Sequence, residues 1–515
     1  MKPQARRGQW RRVLSLACSF LLIGQNTIIV CSGFLHHHRS PSQSRRHSQS
    51  PKIPTSFNSA STSSSLNLFR KIFRRRRQKE LSIDNIITEE RNPATSAKPQ
   101  ERKDKNDAVP SETDVLIIGG GISGIAAAIT AASAASNNKS ALNVTVIEAG
   151  PRLGGRVKSV VTADGYTLDE GFQVFIENYP QSKQIFDYEA LKLRPFLPGA
   201  LVKLEEETEL ARVSDPLRQP QQLLSAVTSP VGSLADKLRL IPLILNLRMK
   251  TIEQLFEEEI ETDTETALRT RWGFSAEFVD TFFRPFLEGI YLSPLSEQSS
   301  RMLSFVLKMF FEGAAALPQG GIGKIIEQLA TKARDLGVDF RMEMPATQIT
   351  LRADGTIHIQ VEGNNGEKSI LAKSVVIATD EEAASKLLVC LDGFDDVLTL
   401  PKQPQRSVGA LYYAFKGNPP VEEPILILNG MKGASRDNES PINNVCFPSS
   451  VNSGFSPDGF SLCSVAVLED AMEAFKGQHD LLDKAVRKQL ALWFPQEADD
   501  IMNTWELKSV FDVSE

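Results

Sequence analysis

The chain has 515 residues, of which 41% are hydrophobic, so it is long enough for about two to four domains with sizeable cores. Of its 58 Lys and Arg residues, 16 lie in the first 79 residues, which contain no Asp or Glu, so 42 basic residues face 63 acidic ones in the rest. This acidic body argues against nucleic-acid binding, which needs a basic surface to neutralise phosphates. The five cysteines are too scattered to predict a metal site or a disulfide framework, and only His358 and His479 lie beyond residue 79.

The first 33 residues have the layout of a signal peptide. Arginines precede an apolar run at residues 13–30, and the small residues Cys31, Ser32 and Gly33 follow it. An uncleaved membrane anchor is the alternative, because the run is close to the lower limit of about 17–25 residues for a spanning helix.

Residues 34–79 are rich in Ser and Arg and lack acids, which is the composition of an organelle transit peptide. The Arg run at residues 74–77 could instead be a nuclear signal or a polybasic membrane patch. A signal peptide followed by such a stretch resembles the bipartite leaders of algae with secondary plastids. We therefore predict plastid localisation, with an endomembrane or secreted location as the alternative, and a polar linker at residues 80–110.

The strongest pattern in the chain is a glycine-rich turn between a strand and a helix. Residues 114–118 form a short apolar run typical of a buried parallel strand, and Gly119, Gly121 and Gly124 follow before a helix-compatible stretch of small residues. In such a turn the first glycine permits the tight bend, the second lets the backbone approach a pyrophosphate, and the third lets the helix pack closely. The helix N-terminus then offers amide donors to the phosphates.

A second strand is predicted at residues 144–149, and it contains Glu148, which lies 24 positions after Gly124. This spacing is close to the ~20 residues expected for the acid that accepts hydrogen bonds from a ribose. Such an acid also repels a 2′-phosphate, so the pattern favours an adenosine ribose without one.

The segment that follows, with Arg152, Gly154, Gly155 and Arg156, allows a second backbone approach to the cofactor and supplies charge for its pyrophosphate. Together with the turn and the acid, it resembles the R-x-G-G-R element of the flavin-containing amine oxidase superfamily, which implies FAD as the cofactor. The resemblance implies that the following residues bind FAD: Gly119, Gly121, Ser123, Gly124, Glu148, Ala149, Arg152, Gly154, Gly155, Arg156 and Ala346, the last through its backbone at the adenine edge.

Later segments resemble the same superfamily in the same order, at residues 165–171, 282–291, 317–321 and 373–379. They are most similar to the branch of phytoene desaturase and protoporphyrinogen oxidase. The resemblance implies an α/β fold: a Rossmann-type FAD-binding domain with an inserted α+β substrate domain.

In domain terms, the resemblance places the FAD-binding domain at residues 111–171 and 316–385. It places a mainly helical part of the substrate domain at residues 172–315 and a strand-rich part at residues 386–515. The superfamily's last FAD-domain strand, its G-D element and its Gly- and Ala-rich helix have no match in residues 462–515. From this we expect a truncated sequence or a protein that has lost the closing element.

The stretch at residues 214–256 is rich in Leu, Ile, Pro and basic residues. It could be an amphipathic surface through which a lipophilic substrate enters from a membrane, which would make the protein peripherally membrane-associated. The alternative is an ordinary core helix pair capped by Pro242.

The resemblance implies an FAD-dependent oxidoreductase in which the flavin accepts a hydride from a small lipophilic substrate, an isoprenoid or a tetrapyrrole. Oxygen, a quinone or another acceptor would then reoxidise the flavin. No catalytic acid or base can be assigned, since Glu170 could lie near the flavin or in a solvated turn. The alternatives are an amine or polyamine oxidase and a non-catalytic protein that binds flavin or lipid.

Overall fold

The computed structural model describes residues 18–23, 26–31, 111–137, 142–171, 174–215, 218–219, 222, 228–363, 366–389, 391, 406–431 and 439–514. These residues belong to one compact unit. The predicted transit segment and linker, at residues 34–110, lie outside the described residues, as does most of the predicted signal peptide.

The elements are numbered here in chain order. The strands are β1 Cys18–Ile23, β2 Asn26–Cys31, β3 Glu112–Ile118, β4 Val144–Ile147, β5 Ser159–Val161, β6 Thr167–Asp169, β7 Phe175–Ile176, β8 Arg194–Pro195, β9 Gly199–Lys203, β10 Ala211–Ser214, β11 Ala315–Leu317, β12 Asp339–Arg341, β13 Ala346–Leu351, β14 Ile357–Gly363, β15 Gly366–Ile377, β16 Ser407–Lys416, β17 Leu426–Asn429, β18 Ile442–Cys446, β19 Phe460–Leu468 and β20 Glu506–Ser514. The helices are α1 Ile122–Asn137, α2 Ser182–Ile185, α3 Tyr188–Leu191, α4 Leu234–Met249, α5 Ile252–Glu257, α6 Thr264–Thr266, α7 Ala276–Phe278, α8 Arg284–Tyr291, α9 Ser300–Glu312, α10 Gly323–Asp335, α11 Glu381–Leu388, α12 Pro448–Val451, α13 Glu469–Ala474, α14 His479–Trp493 and α15 Ala498–Asn503.

The first sheet is built around β3. Its order is β1-β2-β15-β3-β4-β12, and the pairs from β2 to β12 are parallel. Successive side chains of a strand point to opposite faces, so a sheet covered on both faces needs apolar residues at every position. Val115 and Ile117 pack toward α1 and α10, whereas Leu116 and Ile118 pack toward α11 and the β13–β14 hairpin.

The edge of the first sheet next to β15 carries a hairpin from the apolar run of the predicted signal peptide. The backbones of β1 and β2 pair antiparallel, and β2 pairs parallel with the last residues of β15, with Thr27 opposite Ser374 and Val30 opposite Ile377. The signal-peptide assignment itself stays a prediction.

The second sheet has the order β10-β9-β17-β18-β19-β16-β20. Side chains along β16 alternate between the two faces of this sheet. On one face Leu411 and Tyr413 pack against helices α13 to α15. Ala410 and Tyr412 point the other way and pack against Leu168 of β6 and Leu317 of β11. This second group, which we call the junction cluster, therefore joins the second sheet to strands next to the first. Its buried members are Tyr166, Leu168, Phe196, Leu317, Ala410, Tyr412, Ala414, Cys446, Val451, Phe455 and Leu462.

Helices α4 to α9 form a separate core rich in phenylalanine. The start of α4 is fixed by the fully buried Asp236, which accepts hydrogen bonds from the backbone N–H and hydroxyl of both Ser233 and Ser275. Burial alone would raise the pKa of the Asp236 carboxyl, but these hydrogen bonds outweigh it and hold that pKa at about 2. One acid thus caps α4 and also ties it to the start of α7.

The interpretation of Pro242 as a helix cap is wrong, because Pro242 lies inside α4. A proline at that position removes the hydrogen bond to the carbonyl of Leu238. The helix tolerates the loss because Pro242 and Leu238 both lie on its exposed side. Among the described residues, no helix combines the length and the apolar character needed to cross a membrane.

Candidate functional site

The candidate site begins at the turn between β3 and α1. Gly119 continues the sheet, since its N–H donates to the carbonyl of Ile147 at 2.9 Å. Its φ of +107° is one that other residues rarely adopt, and a Cβ here would lie 2.6 Å from the carbonyl oxygen of Ala378. A side chain at this position would therefore strain the backbone and would also clash with the residue that follows β15.

Gly124 and Gly121 perform two different tasks in the same turn. A Cβ on Gly124 would lie 1.9 Å from the carbonyl oxygen of Gly119, so only glycine allows α1 to start this close to the end of β3. A Cβ on Gly121 would meet nothing within 4 Å. Gly121 therefore presents bare backbone to open space, beside the unpaired N–H groups of the first turn of α1. Ser123 is exposed in that turn.

The second glycine loop lies against the first. Gly154 donates its N–H to the carbonyl of Gly120 at 2.9 Å and forms a parallel bridge with Gly121. Gly155 is exposed next to it, and a Cβ on Gly155 would lie 3.7 Å from the Cα of Gly121. The two motifs that the sequence analysis paired thus form one continuous surface of backbone.

Glu148 closes the end of this surface. Its Oε2 accepts from the N–H of Gly120 at 2.7 Å and its Oε1 accepts from the N–H of Gly150 at 2.8 Å. Each carboxylate oxygen can accept a further hydrogen bond, so Glu148 is oriented by the turn and can still accept hydrogen bonds from a ribose. Its backbone carbonyl accepts from Met344, which brings Ala346, at the start of β13, into the neighbourhood. Ala149 is exposed directly after Glu148.

Three cations lie in the second glycine loop and directly after it: Arg152, Arg156 and Lys158. Glu170 forms an ion pair with Lys158 and lies 3.9 Å from Arg152. Glu170 therefore offsets part of the charge of this basic group and is not a free solvated residue. Burial, together with the charge of Arg152, lowers the pKa of the Lys158 ammonium. Burial also lowers the pKa of Arg152, partly offset by Glu148. Cations held this close to one another gain from a nearby anion.

Asp169 is the most perturbed acid of this region. Its Oδ1 accepts from the hydroxyl of Ser159 and from the N–H of Ile322, at the start of α10, at 2.9 Å. Burial, only partly offset by these hydrogen bonds, raises the pKa of Asp169 to about 6. The hydroxyl of Tyr412 donates to the backbone carbonyl of Asp169 at 2.9 Å. Asp169 therefore links β6, α10 and the second sheet at one point.

Lys158 and Asp169 were not predicted from the sequence as site residues. A signal was present for Asp169, because it is an acid in a strand whose residues are otherwise typical of a core. For Lys158 the sequence offers no comparable signal, since a lysine two residues after an arginine is common on protein surfaces.

The arrangement fits a dinucleotide. The glycine surface supplies close backbone approach, the first turn of α1 supplies N–H donors, and the three cations supply charge for a pyrophosphate. The family described as "Flavin containing amine oxidoreductase" matches residues 122–511. The chain belongs to this family.

Two curated proteins illustrate the family's range. "Protoporphyrinogen oxidase 2, chloroplastic/mitochondrial" of Arabidopsis thaliana is 28% identical over 177 residues, which cover 34% of this chain and 32% of that protein. "Carotenoid 3,4-desaturase" of Haloarcula japonica is 22% identical over 388 residues, which cover 69% of this chain and 76% of that protein. The chain thus spans only about a third of the Arabidopsis relative.

Among solved structures, that of an oxidoreductase from Methanosarcina mazei is similar with a TM-score of 0.57 and 17% identity, covering 78% of this chain and 88% of the other. At this identity the likeness concerns the fold alone. Together these findings confirm the predicted amine oxidase superfamily, its protoporphyrinogen-oxidase-like and desaturase-like branch, and the α/β fold with a Rossmann-type FAD-binding domain. They also confirm FAD as the cofactor, and the family to which the chain belongs is one of flavin-containing oxidoreductases.

Two glycine substitutions should separate folding from cofactor binding. Gly121→Ala places a methyl group in open space, so the apo-protein should keep its free energy of unfolding within about 0.5 kcal/mol while FAD affinity falls at least about tenfold. Gly119→Ala should destabilise the apo-protein by at least about 2 kcal/mol through its φ and the clash with Ala378. Urea unfolding of the apo-proteins and FAD titration measure the two effects, and unchanged FAD affinity in Gly121→Ala would contradict the assignment.

Asp169 should make stability depend on pH. Because its folded-state pKa of about 6 exceeds the ordinary aspartate pKa of 3.8, the native state binds the extra proton, and stability falls as pH rises from 3.8 to 6. Asp169→Asn lacks this loss, so its free energy of unfolding relative to the parent should rise by up to about 3 kcal/mol between pH 4 and pH 7. Ser159→Ala removes a donor to the ionised carboxylate and should extend the window to higher pH. A pH-independent difference between Asp169→Asn and the parent would refute the assignment.

Proposed function

We propose that this chain is an FAD-dependent dehydrogenase or desaturase that removes hydride from a C–H bond of a small lipophilic substrate, an isoprenoid or a tetrapyrrole. The observation that carries the proposal is the junction cluster, where apolar and aromatic side chains of the second sheet meet β6 and β11. Glu170, which forms an ion pair with Lys158, directly follows β6 in the chain, so neighbouring residues belong to the junction and to the basic group. The two curated relatives named above carry protoporphyrinogen and carotenoid in their names, in line with a lipophilic substrate.

In this proposal the FAD-binding part comprises residues 111–171 and 316–385, and the substrate part comprises residues 172–315 and 386–515. Gly121 and Gly155 admit the pyrophosphate to the backbone, while Gly119, Gly124 and Gly154 hold the shape of that surface. The N–H groups around Ser123 and the cations Arg152, Arg156 and Lys158 offset the phosphate charge. Glu148 accepts from the adenosine ribose, and the backbone at Ala149 and Ala346 flanks the adenosine end.

FAD, when bound, supplies the hydride acceptor. The chain's own residues would hold the ring against the junction cluster, whose packing excludes water from the reacting bond. Asp169 and Tyr412 act as positioning residues, because they fix β6 to α10 and to the second sheet. Neither residue needs to accept a proton in order to position these elements. No catalytic acid or base is assigned.

The lipophilic substrate is favoured over an amine because the junction cluster offers an amine no acid that is free to pair with it. An alkylammonium substrate would meet Asp169 there, whose carboxyl is buried and already hydrogen-bonded. A neutral polyene or porphyrinogen has no such charge to accommodate.

The reaction is tested by anaerobic flavin reduction in the purified, FAD-loaded full chain. Bleaching of the flavin absorbance by a polyene or a porphyrinogen, with no bleaching by a polyamine panel, is the expected result. Bleaching by amines alone would favour the amine oxidase alternative, and FAD retention without reduction by any of these substrates would favour the non-catalytic one. Once a substrate reduces the flavin, reoxidation by oxygen, by a quinone or by another acceptor identifies the electron acceptor.

We also propose delivery to a plastid through a signal peptide at residues 1–33 and a transit segment at residues 34–79. The support is the acid-free, Arg-rich composition and, more weakly, the word "chloroplastic" in the name of the Arabidopsis relative. Residues 1–79 fused to a fluorescent protein should reach the plastid of an alga with a secondary plastid, and residues 1–33 alone should stop in the endomembrane system. Secretion of the longer fusion would contradict the proposal.

A further inference from the structure

Three buried asparagines lie on β17 and β18, and one of them has an unpaired oxygen. Asn429, Asn443 and Asn444 are each at most 3% exposed. The amide of Asn429 donates to the hydroxyl of Ser440 at 3.1 Å, and the amide of Asn443 donates to the carbonyl of Pro285 at 3.0 Å. Within the part of the chain that the structure describes, no donor reaches Oδ1 of Asn444. A buried polar atom without a partner is costly, so this oxygen points to a donor from a bound molecule.

A β-bulge turns the two consecutive asparagines of β18 toward helix α8. The register of β18 against β19 shifts between Ile442 and Asn444, so Asn443 is the extra residue. In a regular strand, consecutive side chains would point to opposite faces. Here the Nδ2 atoms of Asn443 and Asn444 lie 2.6 Å and 3.2 Å from the position that a Cβ on Gly289 would occupy. The glycine therefore lets β18 bring the amide of Asn444 up to α8 with no side chain between them.

The neighbours of Asn444 within the sheet are apolar. Asn444 lies opposite Leu428 of β17 and Ala466 of β19, and directly opposite residues share one face of a sheet. A buried water normally makes about three hydrogen bonds to polar groups, and neither of these side chains offers one. A hydroxyl that belongs to an apolar molecule suits the position better, because the rest of that molecule covers the apolar neighbours.

A row of phenylalanines approaches Asn444 from the helical side. Phe286 lies three residues before Gly289 and therefore on the same side of α8. Its ring stacks on that of Phe282 with the centroids 6.0 Å apart, and it lies 5.3 Å from the ring of Phe310 of α9. These three rings and Gly289 are only partly buried. They form an apolar surface that ends at the unpaired amide.

Asn444 lies between the helical core and the junction cluster. Leu428, opposite Asn444, packs in the same core as Phe286. Cys446, two residues further along β18, belongs to the junction cluster. A molecule held at Asn444 can therefore reach both the phenylalanine row and the cluster at which the proposed reaction takes place.

We propose that Asn444 binds a hydroxyl group of the substrate and sets specificity for a hydroxylated isoprenoid, whose hydrocarbon lies along Phe282, Phe286 and Phe310. This inference rests on the proposed function and narrows its substrate class. A hydroxyl is a donor as well as an acceptor, so it can donate to Oδ1 of Asn444. A hydrocarbon leaves that oxygen unpaired, and a site built around such a hydrogen bond discriminates against it.

A tetrapyrrole fits this position less well. A porphyrinogen carries carboxylates, which need cations or several donors when they are buried. Arg284, the cation of α8, is already paired with Asp280 and Glu288. An isoprenoid alcohol brings no charge, and its single polar group matches the single unpaired oxygen of Asn444.

Binding of matched ligands by the FAD-loaded full chain tests the proposal. The probes are a tritiated isoprenoid alcohol, its methyl ether and the corresponding hydrocarbon, and equilibrium partition in a fixed concentration of mild detergent gives their dissociation constants. The ether keeps the oxygen but cannot donate. The parent should therefore bind the alcohol at least about tenfold more tightly than the ether or the hydrocarbon. Equal affinities for the three ligands, or binding of none of them, would overturn the proposal.

The deciding variant is Asn444→Leu. Leucine has nearly the shape of asparagine and no polar atom, so the replacement removes an unpaired buried group and should not lower Tm. The variant should lose at least about tenfold in affinity for the alcohol and bind all three ligands equally. A variant that keeps the parent's preference for the alcohol would refute the role of Asn444. The comparison of alcohol and ether in the parent does not depend on how this variant folds.

The matched control is Asn443→Ala, which removes the hydrogen bond to Pro285 from the neighbouring position. It should lower Tm by at least about 2 °C and keep the preference for the alcohol. Loss of the preference in this control as well would mean that the fit of β18 to α8 selects the ligand, and would count against Asn444.

Anaerobic flavin reduction by the same ligands separates this inference from the proposed function. A tenfold preference for the alcohol without flavin reduction would support the binding site at Asn444 and contradict the dehydrogenase. Flavin reduction by ligands that bind with equal affinity would support the dehydrogenase and contradict the role of Asn444.

Discussion

The close approach of backbone to backbone at the end of β3 is the constraint on which the rest of the structure depends. A Cβ on Gly119 would clash with the carbonyl of Ala378, a Cβ on Gly124 would clash with the carbonyl of Gly119, and Gly154 donates its N–H to the carbonyl of Gly120. These contacts fix where α1 begins, where the second glycine loop lies and where the carboxylate of Glu148 points. The packing of three backbone segments therefore forms the cofactor surface, and side chains add charge at its margin.

This origin explains why the site was predictable from the sequence. A glycine-rich turn is a local pattern, and the strand, turn, helix and acid that make it lie within one stretch of the chain. The apolar residues of β3 are also local evidence, since only a sheet covered on both faces needs them at every position. The assignment of individual residues to FAD remains a prediction, although the structure brings Gly121, Gly155 and Glu148 to one surface.

What the sequence did not reveal depends on distant partners. The sequence shows Asp169 only as an acid in a strand typical of a core, and its raised pKa exists only because Ser159, α10 and the second sheet enclose it. Pro242 suggested a helix end, but the outward side of α4 tolerates a missing hydrogen bond. Periodicity could not separate the exposed apolar residues of α4, such as Leu238 and Leu245, from those of an ordinary core helix. Both kinds of residue have the same spacing, and only the fold decides which side is covered.

The second sheet has a consequence for how the chain folds. Ala200 of β9 pairs in parallel with Leu426 of β17, so this sheet brings together segments separated by more than two hundred residues. Loop closure over such a distance must precede any gain from the pairing, and domains dominated by such pairs fold slowly. During synthesis β9 and β10 emerge long before their neighbour exists, and they remain open edges that other chains can pair with. Slow closure would also keep the polypeptide extended for longer, which is the state that a translocation pore accepts.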